Sequence, residues 1–145
     1  LAYELHKVTA RLDREADVLL RRLQGISYAR FLALFAVSQT NGSQRELARW
    51  LGQTEASTSR MVTVLAEEGL LEVTRPKGGG NQHRLRLTGS GAQLVGRCGR
   101  LLEHRFEDLV RRSGVPYDSY QRHTRRLLDR LEFEQRRDTD TQVTA

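Results

Sequence analysis

Ala56, Arg60 and Thr63 recur at spacings of four and three, which places them on one face of a helix, with Ser57 and Ser59 flanking that face and Glu67 completing it. Small residues let a helix approach its partner closely. Hydroxyls exchange single hydrogen bonds, and an arginine fork grips a guanine edge or a phosphate. A second set of cations lies downstream: Arg75, Lys77, Arg84 and Arg86 meet no acid anywhere in residues 75–86. Arg45 adds a cation in the first turn of the preceding helix. This is chemistry for holding a polyanion. Bond making has no comparable support, since no Ser/His/Asp or paired-carboxylate set can be placed on a common site. The chain is therefore not expected to be an enzyme, and no cofactor is expected. Gly89-Ser90-Gly91 lacks the preceding parallel strand and the later glycine of a dinucleotide fingerprint.

The elements that must carry these residues can be read in order. Leu1, Leu5, Val8, Leu12, Ala16, Leu19 and Leu23 form a seam at gaps of three and four, the mark of a helix that packs on another helix. Gly25 ends it. Ser27 caps a second helix, apolar nearly all round through Phe31, Leu32, Leu34, Phe35 and Val37. Asn41-Gly42 is a turn signal. Ser43-Gln44-Arg45-Glu46 reads as a capping box, with the serine hydroxyl on the Glu46 amide and the carboxylate returning to the Ser43 amide. That third helix runs through Leu47, Ala48 and Leu51 to Gly52, which takes the positive φ of a tight turn.

Thr54 caps a fourth helix, ending at Gly69, whose inner stripe is Thr58, Met61, Val62 and Leu65. Leu71–Thr74 and Arg84–Leu87 alternate with period two and read as a hairpin, with Pro76–Asn81 as its glycine-rich and mobile tip. Thr88 caps a fifth helix with Leu94, Cys98, Leu101, Leu102, Phe106 and Leu109 on one side. Gly114 closes it, and Pro116 opens a sixth with Tyr120, Leu127, Leu128 and Leu131. The polar residues after Glu134 read as a frayed tail. The expected fold is mainly α with a small β-hairpin wing: a winged helix-turn-helix at residues 26–88, flanking dimerisation helices at 1–24 and 89–135, and a polar tail at 136–145.

Composition sets the outer bounds. The 145 residues carry a formal charge of +6 and a pI near 10.2, which favours a polyanionic partner. No apolar run approaches the roughly 18 residues of a membrane span, and no signal-peptide pattern opens the chain. The expected setting is the cytoplasm, with no membrane partner. One cysteine excludes an intramolecular disulfide and a four-cysteine zinc module, and no two of the four histidines pair at helical spacing. Cys98 lies in an apolar stripe and reads as a buried core thiol. His104 reads as solvent-facing or interfacial, and Trp50 as a cover for the turn between two helices.

The runs Glu46-Leu47-Ala48-Arg49-Trp50-Leu51-Gly52 and Thr54 to Val62, then Leu65 to Leu71, and the Leu87-Thr88-x-x-Gly91 step resemble the MarR family of bacterial regulators. The resemblance covers nearly the whole chain. It implies a dimer held by the first, fifth and sixth helices, a pseudo-palindromic operator, and often a small phenolic or lipophilic effector. By the same resemblance Ser57, Ser59 and Arg60 face bases and phosphates. Tyr3, His6, Tyr28 and Arg30, polar among apolar neighbours, are then the candidate effector contacts. The sequence departs from the family's pattern in two places. Gly79, Gly80 and Asn81 stand where an Asp-Arg-Arg-like run is common, and Val73 stands at the usual strand arginine.

The reading for function is a transcriptional regulator, a repressor, that binds double-stranded operator DNA as a homodimer. The alternative is a winged-helix protein–protein adaptor that has lost DNA binding. It draws on the fourth helix, where Glu55, Glu67 and Glu68 face Arg60 alone, and on the altered wing.

Overall fold

The computed structural model describes residues 1–40, 42–74 and 83–143, with side chains described as far as 134. Six helices and a hairpin follow in the order α1 (Ala2–Gln24), α2 (Tyr28–Gln39), α3 (Gln44–Leu51), α4 (Glu55–Glu67), β1 (Leu71–Thr74), β2 (Arg84–Leu87), α5 (Gly89–Arg112) and α6 (Tyr117–Val143). The expected fold class is the observed one. Arg75, Lys77 and the Pro76–Asn81 tip lie outside the described residues, as does Asn41 of the turn signal. Two compact units divide the chain at residues 102 and 103.

In the first unit the caps read from sequence are made. Ser27 accepts from the Arg30 amide at 3.3 Å, Ser43 from the Glu46 amide at 3.1 Å, and Thr54 from the Ser57 amide at 3.2 Å. Each satisfies one of the amides that a helix start leaves without a partner. The return arm of the capping box is not formed. Glu46 Oε2 is buried without a hydrogen-bond partner, and Ser43 is instead drawn into an antiparallel bridge with Arg84. The Leu85 amide donates to the Gly42 carbonyl at 2.6 Å beside it.

α2 is the centre of the core. Phe31, Ala33, Leu34, Ala36 and Val37 are buried, as its all-round apolar character requires. Around it pack Leu47, Val62, Leu65, Leu71, Leu85, Leu94 and the buried Cys98. Burial pushes the Cys98 thiol above its ordinary pKa, which keeps it protonated and inert. α1 contributes Leu20, fully buried, which is not part of the heptad-like seam. Seam residues Leu1, Leu5, Val8 and Leu23 face solvent in the single protomer, while Leu12, Ala16 and Leu19 are half-buried.

In the second unit α5 ends at Gly114 and α6 begins after Pro116. Rings of Phe106 and Tyr120 sit 5.9 Å apart, and the Tyr117 hydroxyl donates to Glu103. The stripe of α5 turns inward at Val110 rather than at Leu109, which is exposed. Four-residue steps from Phe106 reach Val110, so the helical period carries the buried edge past Leu109. α6 runs on to Val143, through most of the segment read as a frayed tail. Neither Gly nor Pro interrupts residues 117–143, and Glu, Gln and Arg there are good helix formers.

Candidate nucleic-acid interface

The helix-turn-helix is built by α3 and α4. Ala48, in the middle of α3, is buried. Gly52 ends α3 with φ 62°, and the amides of Gly52 and Gln53 donate to the carbonyls of Arg49 and Ala48 at 3.1 and 3.0 Å. This is the left-handed termination that favours glycine, and it turns the chain within two residues into the Thr54 cap. Trp50, read as a cover for the turn between the two helices, instead packs edge-on against Phe35 of α2 at 6.2 Å and is otherwise exposed.

α4 then shows two faces. Thr58, Val62 and Leu65 are buried and Met61 packs against the core. Ala56, Ser59, Arg60, Thr63 and Glu67 are exposed, and Ser57 is half-buried. The periodicity thus places every candidate of this helix on the side the sequence assigned. Thr63 donates its hydroxyl to the Ser59 carbonyl at 3.0 Å, so the proton is used within the helix and the oxygen is left to accept.

The acids of α4 are met by arginines of other helices. Glu55 lies 3.8 Å from Arg45 Nε of α3, an exposed pair of small energetic weight. Glu68 accepts from Arg30 Nη1 of α2 at 2.7 Å, with both side chains about one-third exposed. The surplus of three acids over one base, counted along α4 alone, is offset in three dimensions.

The wing pairs Leu71 with Leu87, Glu72 with Arg86, Val73 with Leu85 and Thr74 with Arg84. Leu71 and Leu85 face the core, and Arg84 and Arg86 face outward as the period-two pattern requires. Glu72 stands across the strands from Arg86, an opposite-charge pair on the outer face. The base of the wing is held by Thr88. Its amide donates to the Leu70 carbonyl at 3.1 Å and its hydroxyl to the Gly69 carbonyl at 2.7 Å, while its oxygen accepts from the Gly91 amide at 3.0 Å. A Cβ at Gly91 would drive into the Leu70 carbonyl, so a residue without one is required there. The Leu87-Thr88-x-x-Gly91 step is thereby explained by geometry.

The four effector candidates do not converge within one protomer. Tyr3 and His6 are exposed in the first two turns of α1. Tyr28 and Arg30 sit in the first turn of α2, where Asp17 of α1 accepts from the Tyr28 amide at 2.9 Å. Tyr3 lies 14 residues before Asp17 on the same helix, a rise of about 21 Å. Burial and the nearby Asp13 carboxylate raise the Tyr28 phenol above its ordinary pKa. The Arg21 guanidinium and the Tyr28 amide hold Asp17 below the ordinary 3.8. An open groove of about 430 Å³ lies elsewhere, between Val37, Ser38, Thr40 and Gly42 on one side and Arg84 to Leu87 on the other. The sequence reading missed the Arg30–Glu68 pair, the Asp17 cap and the hydroxyl donation by Thr88. Arg30 and Glu68 stand 38 residues apart, and no local pattern announces such a pair.

Residues 24–80 match the family model described as the MarR family. No curated protein sequence matches the chain significantly. Among solved structures, the transcriptional regulator BldR from Sulfolobus solfataricus superimposes with a TM-score of 0.74 at 21% identity, over 89% of this chain and 92% of that one. Wild-type MarR from E. coli, in its apo form, gives 0.72 at 22% identity, over 90% and 96%. MepR from Staphylococcus aureus, in a complex with DNA, gives 0.69 at 19% identity, over 90% and 95%. The resemblance read from the helix-turn-helix residues agrees with the family match over residues 24–80, and about nine-tenths of the chain shares the fold of these regulators. No described helix is long and apolar enough to cross a membrane.

Proposed function

Starting from a winged helix whose residues 24–80 match the MarR family model, we propose that the chain is a transcriptional repressor that binds a pseudo-palindromic operator as a homodimer. One observation carries the DNA-binding reading. The face of α4 opposite the Thr58–Val62–Leu65 stripe is fully presented to solvent, small at its N-terminal end and armed with Arg60. A helix of that shape enters a major groove with its first turns at the base edges. In this reading Ala56, Ser57, Ser59, Arg60 and Thr63 meet the groove. Arg45, Arg84 and Arg86 meet phosphates, as do Arg75 and Lys77 outside the described residues.

Dimerisation is supported by apolar residues that the protomer leaves in water: Leu1, Leu5 and Val8 on α1, and Leu127, Leu128 and Leu131 on α6. A two-fold dimer would set half-sites about 34 Å apart. The effector part of the reading, release from DNA by a small lipophilic or phenolic compound, draws on the family resemblance. Within one protomer Tyr28 and Arg30 are its candidate contacts. Tyr3 and His6 join them only if the partner protomer brings its α1 alongside. The adaptor alternative draws on the acids of α4, of which Glu55 and Glu68 have Arg45 and Arg30 as partners, and on the altered wing.

The test is selection of duplexes from a random pool followed by titration of the selected operator with wild type and Arg60→Ala. If Arg60 reads a base, the variant loses about 1–3 kcal/mol and relaxes one operator position; if it holds a phosphate, the loss is uniform across sequences. Unchanged affinity contradicts the assignment of Arg60, and failure to enrich any sequence contradicts the function.

A further inference from the structure

Nothing in the proposed function explains why Arg30 is spent on Glu68. The bond is 2.7 Å long, spans 38 residues of sequence, and joins the first turn of α2 to the residue that caps the C-terminus of α4. Glu68 sits where the helix dipole is negative, and Glu67 beside it adds a second like charge. An acid at that position disfavours the helix end unless a cation meets it. Arg30 is that cation, and its planar fork restricts the partner's orientation more than a lysine would.

The place of the pair in the fold matters more than its charge. Arg30 lies two residues from Tyr28, whose amide is capped by Asp17 of α1, and its own amide is held by Ser27. Its backbone is therefore fixed from two sides. At the other end, the Gly69 and Leu70 amides close α4 onto the carbonyls of Ala66 and Leu65, so Glu68 is fixed as well. A short bond between two fixed backbones restrains how α4 tilts and rolls on α2. The pair adds that restraint to the burial of Thr58, Val62 and Leu65, which seats α4 on the core.

We propose that Arg30 and Glu68 are positioning residues for sequence discrimination: their ion pair holds α4 at the angle at which its exposed face reads an operator, without either residue touching DNA. The inference rests on the DNA-binding reading above. Phosphate contacts tolerate small tilts because they are long-reaching and many, whereas base-edge hydrogen bonds do not. Loss of the strut should therefore degrade specific binding while leaving non-specific binding in place.

The experiment uses the full chain, an operator selected by wild type, and a scrambled duplex of the same length. Arg30→Ala and Glu68→Gln should each lower the ratio of specific to non-specific affinity about tenfold, and the exchange Arg30→Glu with Glu68→Arg should recover most of it. Thermal melting is followed in parallel. A ratio that stays at the wild-type value in both single variants overturns the proposal. So does an exchange variant no better than the singles. If wild type itself shows no sequence preference, the DNA-binding reading fails and this inference falls with it. A selective wild type with equally selective single variants defeats the strut alone.

Discussion

Thr88→Val removes one hydroxyl while keeping the volume and β-branching of the side chain, and that hydroxyl serves two elements at once. Its oxygen caps α5 at the Gly91 amide, a contribution of about 0.5–2 kcal/mol for an N-cap of this type. Its proton goes to the Gly69 carbonyl at the end of α4. Gly69 is exposed, so water replaces that partner and the net loss is at the low end of about 0.5–1.5 kcal/mol. Together the variant should be less stable by about 1–2.5 kcal/mol, with the amide bond to Leu70 intact. For a chain of this size the midpoint of thermal unfolding should fall by about 3–10 °C. Thr88→Ser restores both bonds without the methyl group and should melt close to wild type. The assay is thermal unfolding by circular dichroism at one protein concentration for all three proteins. A Val variant that melts with wild type, or a Ser variant as damaged as the Val one, would refute the assignment of the stability to the hydroxyl.

Replacing Arg84 and Arg86 together by alanine should weaken binding to all duplexes about equally and lower the salt slope by about 1.8, with operator preference retained. Lost discrimination at A·T-rich flanks would show groove reading by the wing instead. Asp17 is held below its ordinary pKa by Arg21 and the Tyr28 amide, so its contribution is present above the unfolded value of 3.8 and is lost as pH falls through the lower folded value. Denaturant titrations should therefore find Asp17→Asn less stable than wild type at pH 7, with the gap closing below about pH 4. A gap of constant size at both pH values contradicts the linkage. Sedimentation at micromolar concentration should find a dimer, because the apolar stripes of α1 and α6 are exposed in the protomer. A stable monomer ends that reading.

Local chemistry made most of this protein legible before any tertiary structure was known. Ser27, Ser43, Thr54 and Thr88 each announce a helix start because a side-chain oxygen must meet amides that have no other partner. The three- and four-residue spacings of Thr58, Met61, Val62 and Leu65 fix which side of α4 is inward, and so leave Arg60 outward. Alternation in Leu71–Thr74 and Arg84–Leu87 specifies which wing residues face inward by the same argument with a period of two, and so leaves Arg84 and Arg86 outward. What tertiary structure decided are matters that depend on distant segments. Glu46 was expected to return to Ser43, but its Oε2 is buried without a partner among the described residues, where the hairpin docks its Leu85 amide on the Gly42 carbonyl. Leu20, which lies beside the seam, is the α1 residue that enters the core, while Leu1, Leu5, Val8 and Leu23 of the seam stay exposed. The charge on α4 reads as acidic along the chain and as offset in space, since Arg30 and Arg45 belong to other helices. Periodicity specifies a face. Only packing specifies what that face meets.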